Sequence, residues 1–187
     1  MSDVSKELVR IFFELNGFFV KEEAYLLVKR IQSTRSRSST FLLSPDNLNK
    51  VQQALVDVKG WHTEAFFPSV INSSPEIFSF LGEDSLKEAE RFFETKNFKK
   101  IIVVSKLPNV RGTLKKSVGI LRGKGIDHVI EFSVILNYLI NEVKPNVNYV
   151  NSDLLQLIRI FKCHSFYKPP QLELFTALEK TRSSKGT

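Results

Sequence analysis

The chain has little of what several protein classes require. One cysteine, Cys163, in 187 residues excludes an intramolecular disulfide and a cysteine-rich zinc site, and points to a reducing, cytoplasmic setting. The three histidines, His62, His128 and His164, are too scattered for a metal cluster by spacing, so each is expected to be a surface or satisfied buried group. Among the eight glycines, Gly119, Gly123 and Gly125 match neither a Walker-type phosphate loop nor a G-x-G-x-x-G fingerprint, which leaves nucleoside-triphosphate binding without support. No G-x-S-x-G elbow and no Cys/His nucleophile arrangement occurs. No apolar run approaches the ~20 residues of a membrane helix. Met1, Ser2 and Asp3 lead straight into an amphipathic segment rather than a signal peptide, so no membrane association is expected.

What is present suits a folded domain. Hydrophobic residues make up 42% of the chain, 16 of them phenylalanine, enough for a substantial core. The length predicts one α/β domain over residues 1–165. A short helical segment after Pro169-Pro170 and a basic, disordered tail over residues 180–187 are expected to follow. A net charge of +7 favours a polyanionic partner through release of condensed counterions. Lys29, Arg30, Arg35 and Arg37 lie in a serine-rich stretch with no acidic residue between positions 24 and 45. A second basic group, Arg111, Lys115, Lys116, Arg122 and Lys124, falls on one predicted helix and its exit.

Periodicity orders the elements. Residues 5–16 read as a helix with Leu8, Ile11, Phe12 and Leu15 on one face, stopped by Asn16-Gly17. Residues 18–31 read as one extended segment, residues 40–44 as a short strand closed by Pro45-Asp46-Asn47, and residues 51–59 as a third strand. A helix over residues 85–95, capped by Asp84, leads to the strand KKIIVVS at residues 99–105. Then come a helix over 111–122, a strand over 127–132, and helices over 133–143 and about 152–164, the last carrying a buried Cys163. KKIIVVS is apolar on both faces, so helices must cover both sides of its sheet. The helices beginning at Ser5 and Ser85 are the available covers, and strand 51–59 should lie between strands 40–44 and 99–105.

Chemistry concentrates in Leu55-Val56-Asp57-Val58-Lys59-Gly60-Trp61-His62-Thr63-Glu64. Alternation in a strand places Asp57 and Lys59 on one face. A carboxylate can hold a divalent cation while a lysine beside it orients or deprotonates a water. Alone, D-x-K is a common tripeptide that reads as an ordinary ion pair at a strand end, and Trp61 reads as strand-end packing.

Its place in the chain changes that weight. The order helix, three strands with D-x-K closing the third, helix, strand resembles the PD-(D/E)XK nuclease superfamily and its restriction-endonuclease-like αβββαβ core. More narrowly, VDVKGWHTE, FKKIIVVSKLP, GIDHVIEF and SDLLQLIRIFK, taken in order between Glu7 and Lys162, resemble a family of archaeal nuclease-like proteins. The resemblance implies a mixed sheet flanked by helices and Mg²⁺- or Mn²⁺-dependent phosphodiester hydrolysis. Asp57 would then be a metal ligand, Lys59 the water-positioning group and Glu7 an auxiliary acid on the first helix. It also implies a nucleic-acid partner, with DNA favoured, gripped by Lys29, Arg30, Arg35, Arg37, Lys115 and Lys116, and it makes a homodimer conceivable.

The chain departs from the family pattern at one point. The family carries an aspartate near the end of the second strand, and the corresponding run here, Ser38-Ser39-Thr40-Phe41-Leu42-Leu43, has none. Asp46 is the nearest replacement metal ligand. Two functions follow from this: a nuclease-like nucleic-acid-processing protein with a degenerate site, or a non-catalytic nucleic-acid-binding or protein-interaction module on the same scaffold.

Overall fold

The computed structural model describes residues 3–31, 42–60 and 65–167. Its elements in chain order are α1 (Asp3–Leu15), β1 (Phe18–Glu22), β2 (Leu26–Arg30), α2 (Pro45–Leu48) and β3 (Gln53–Lys59). They continue with α3 (Pro68–Ser73), a 3-10 helix (Pro75–Leu81), α4 (Glu83–Phe93), β4 (Lys99–Val104) and α5 (Arg111–Gly123). The last are β5 (His128–Glu131), α6 (Phe132–Glu142) and α7 (Asp153–Cys163). The chain divides into two compact units, residues Met1–Ile140 and Asn141–Thr187.

The first unit holds a five-stranded mixed sheet in the order β1-β2-β3-β4-β5. The first three strands form an antiparallel meander, and β3, β4 and β5 run parallel. The α/β class is therefore as expected, and β3 is interior. Its neighbours are β2 and β4, however, rather than the strand expected at residues 40–44. Leu42 instead bridges Val129, and the Leu43 N–H donates to the Val129 carbonyl at 2.9 Å, so this segment covers the outer edge of β5.

The segment over 18–31 is a hairpin, not one strand. Fourteen extended residues would span roughly 46 Å, more than twice an ordinary strand, and the chain turns at Glu23 to Tyr25. Ahead of it, α1 stops where Gly17 takes φ +79°, a conformation that suits glycine, and the Asn16 side-chain amide donates to the Phe12 carbonyl at 2.8 Å.

Alternation along the strands divides the core. Tyr25, Leu27, Leu55, Ile102, Val104 and Val129 pack with Ile71, Phe80, Phe93 and Leu121, so α3, the 3-10 helix, α4 and α5 all cover one face. The opposite set, including Val28, Ala54, Val56 and Val58, is equally buried. Phe13 of α1 meets Phe18 edge-on at 5.4 Å on that side, and Phe12 meets Tyr138 of α6 at 5.2 Å. Both faces are covered, as KKIIVVS required. Asp84 lies within the first turn of α4 rather than capping it, because the helix begins one residue earlier, after Gly82. Leu15 is 47% exposed, since its position on the last turn carries it off the buried stripe.

In the second unit, the Ser152 hydroxyl caps α7 by accepting from the Leu155 N–H at 3.3 Å. Leu155 is the buried residue of that helix. Cys163 at its end is exposed, not buried as expected, with its Sγ 3.7 Å from the Pro145 carbonyl.

Arg30 ties the start of β3 to the end of β2. Its guanidinium donates to the carbonyls of Val51 (3.0 Å), Asn16 (3.2 Å) and Leu48 (2.8 Å), and lies 4.2 Å from the centre of the Phe18 ring. Hydrogen bonds from a charged donor contribute about 1.5–3 kcal/mol each at most, and three from one group are not additive. Arg30→Ala is expected to destabilise the protein by roughly 2–4 kcal/mol in urea unfolding, with Arg30→Lys recovering less than half because a point charge cannot reach three carbonyls.

Candidate functional site

β3 is the central strand, and Asp57 and Lys59 stand near its C-terminal end on the face covered by α4 and the 3-10 helix. Their side chains meet directly, with Lys59 Nζ 2.7 Å from Asp57 Oδ2. Asp57 Oδ1 accepts the Val58 N–H at 2.9 Å. Asp57 is 4% exposed, and burial pushes its carboxyl above the usual carboxylate range. Lys59, the Val58 N–H and the charge of Lys6 pull the other way without restoring the ordinary value.

These two residues line a pocket of about 530 Å³ together with Tyr25, Glu76, Ser79 and Ser85. The β2–β3 ladder pairs Leu26 with Val56, so the next position across from Asp57 is Tyr25. Its hydroxyl donates to the Glu88 carboxylate of α4. Burial first, and that hydrogen bond second, push the Tyr25 phenol up to about 12, so it stays protonated at neutral pH. Neither Tyr25 nor Glu88 stood out in the sequence. The signal that could have found them is the over-long segment 18–31, with Glu22-Glu23-Ala24 as its only break.

The other expected site residues are dispersed. The Glu7 carboxylate is held by Arg10 on the next turn of α1, with Nε at 2.7 Å, and does not line the pocket. Its neighbour Lys6 is the α1 group whose charge reaches Asp57. Asp46 belongs to α2, which leads into the start of β3 through the Val51 N–H to Leu48 carbonyl bond at 3.0 Å. The strand begins at Gln53, four positions or roughly 13 Å before Asp57. Arg30 is engaged with three carbonyls, and burial lowers its basicity. Lys29 is exposed beside Gln53, again at the far end of β3 from the pocket. Lys115 and Lys116 are exposed on α5, which starts at the pocket end of the sheet, where Lys59 pairs with Val104. Arg35, Arg37, the positions Ser39 and Phe41, and Trp61 and His62 lie outside the described residues.

These residues do not fit an Mg²⁺ or Mn²⁺ ion. Such ions take near-octahedral oxygen sets with one or two carboxylates free to coordinate. Asp57 Oδ1 is taken by the Val58 N–H, and Oδ2, which makes no hydrogen bond, is in ion-pair contact with Lys59. A tyrosine stands across the ladder, and no group of three His, Cys, Asp or Glu among the described residues could hold a metal. His128 is buried at the start of β5 and His164 exposed beyond α7. Among the described residues no helix is long and apolar enough to cross a membrane. No protein-family model matches the chain, and no curated protein and no solved structure matches it significantly.

Because the folded carboxyl of Asp57 titrates above its unfolded value, its contribution to stability is full at acidic pH and lost as pH rises through the folded pKa. Asp57→Asn removes that loss. Thermal melts are expected to show Asp57→Asn gaining on the wild-type chain as pH rises from about 4 towards neutrality, and little difference below it. A constant offset at every pH would mean that the carboxyl is not held above its ordinary range.

Proposed function

We propose that this chain is a nucleic-acid-processing protein of the PD-(D/E)XK nuclease-like type, degenerate for metal-dependent hydrolysis, that acts by holding nucleic acid, with DNA favoured over RNA. The observation that carries this reading is the Asp57–Lys59 pair on one face of the central strand, opening into a pocket at the strand's C-terminal end. The element order helix, three-strand meander, helix, parallel strand supports the same scaffold. Tyr25, in the position facing Asp57, supports the degeneracy.

Charge divides the labour. Among the described residues, the charged groups lining the pocket are the acids Asp57 and Glu76 and the cation Lys59, so this part of it suits the hydrogen-bonding groups of a base or sugar better than a bare phosphate. The phosphate contacts are assigned to α5, where Arg111, Lys115 and Arg122 recur at intervals of four and seven along the exposed side, with Lys116 beside them. A protein-interaction role has one observation in its favour, a second groove of about 630 Å³ lined by Phe67, Val70, Leu107, Pro108 and Val110.

Anisotropy titrations with labelled duplex and single-stranded DNA and RNA test the reading. Affinity should fall steeply with salt, and Lys115→Ala/Lys116→Ala should flatten the log–log slope by roughly 2 on duplex DNA, at ~0.9 per lost phosphate contact. No cleavage should appear with Mg²⁺ or Mn²⁺. Cleavage that depends on metal and disappears in Asp57→Ala would overturn the degeneracy, and absence of binding at low salt would leave the protein-interaction role.

A further inference from the structure

The two edges of the sheet are treated differently. Leu42 and Leu43 cover β5, whereas among the described residues no strand lies against the outer side of β1. An uncovered edge is a row of backbone donors and acceptors ready to pair with another strand. Short length and charge usually discourage this, and β1, Phe18-Phe19-Val20-Lys21-Glu22, has both. Yet it also presents Phe19 at 56% exposure, stacked 6.3 Å from Phe92 of α4. Lys21 on the same face sits 5.8 Å from the centre of the Phe92 ring and pairs with Glu23 at 2.9 Å and Glu88 at 3.7 Å.

The sequence of β1 is complementary to itself when reversed. Antiparallel pairing of two copies about Val20 sets Val20 against Val20, and Phe19 against Lys21 of the other copy, twice by symmetry. Directly opposed residues in such a ladder share a face with Cβ atoms about 4.5–5.5 Å apart, close enough for each ammonium to lie on the facing ring. A shift one way opposes Lys21 to Lys21, which is repulsive. A shift the other way opposes Phe19 to Phe19 and leaves Glu22 outside the strand overlap.

We infer that a second copy of this chain docks on β1, joining two five-stranded sheets into one across a two-fold axis centred on Val20, with Phe19 of each copy against Lys21 of the other. A symmetric edge contact of this kind is isologous and closes after two subunits. The inference stands apart from the proposed function, since neither the pocket nor α5 takes part in it.

Sedimentation velocity on the full chain over about 5–200 µM tests it, a range chosen for the micromolar affinity of a small interface. A concentration-dependent dimer is expected, and a monomer throughout overturns the inference. Phe19→Lys and Phe19→Glu remove the same ring but place opposite charges against Lys21. Phe19→Lys should be monomeric over the whole range, and Phe19→Glu should retain the dimer within about tenfold in Kd. Loss of the dimer in both, with thermal stability unchanged, overturns the register. In a Cys163→Ser background, Val20→Cys should form an intermolecular disulfide under mild oxidation, because only the central residue meets its own copy. Faster cross-linking through Phe19→Cys would assign the shifted register instead.

Discussion

Four consecutive residues of β4, Ile101 to Val104, are wholly removed from water, and this burial constrains everything around them. A strand apolar on both faces cannot sit at an edge or against solvent, so it needs strands on both sides and helices above and below. The parallel neighbours β3 and β5 supply the first. Parallel pairing forces long crossovers, and these crossovers contain α3, the 3-10 helix, α4 and α5, which cover one face. They also bring the C-terminal ends of three strands to one end of the sheet, where both grooves open. Ligand sites in open parallel sheets form at such ends because the connecting loops diverge there.

Asp57 shows what that position demands. The same strand that buries Leu55 and Val56 carries a carboxylate at almost the same depth. Burying a charge is unfavourable unless it is paired, and Lys59 is the partner that the strand itself provides two residues later. The carboxyl still titrates above its ordinary range, so desolvation outweighs the attraction of the ammonium. A carboxyl that burial shifts above its ordinary range, beside a lysine, is more in keeping with a site than with a core designed for stability alone.

Much of this was legible in the chain, and the exceptions have physical causes. β3 and β4 with their burial, and the face shared by Asp57 and Lys59, follow from local alternation, and that signal needs no knowledge of partners. Pairing does need it. Leu42 and Leu43 look like a strand beside 51–59, but apolar side chains do not say which edge they will cover. Arg30 looked like part of a basic surface because a sequence does not show carbonyls converging on a guanidinium from three separate segments. Tyr25 was missed for a related reason: its role depends on the register of a hairpin read as one strand.

The cover over β5 joins residue 42 to residue 129, the pairing most distant in sequence among the described residues of the sheet. The β1–β2–β3 meander closes over short loops and can form early, while this bridge must wait until α3, α4, β4, α5 and β5 have all been placed. Closing so long a loop carries an entropy that local hairpins do not, which makes the edge a late event on the folding path. During synthesis β5 cannot exist until most of the unit has left the ribosome, so Leu42 and Leu43 are held in reserve for a strand not yet made. The last contact to form is thus written near the beginning of the chain, and it fastens the first unit into a single cooperative body.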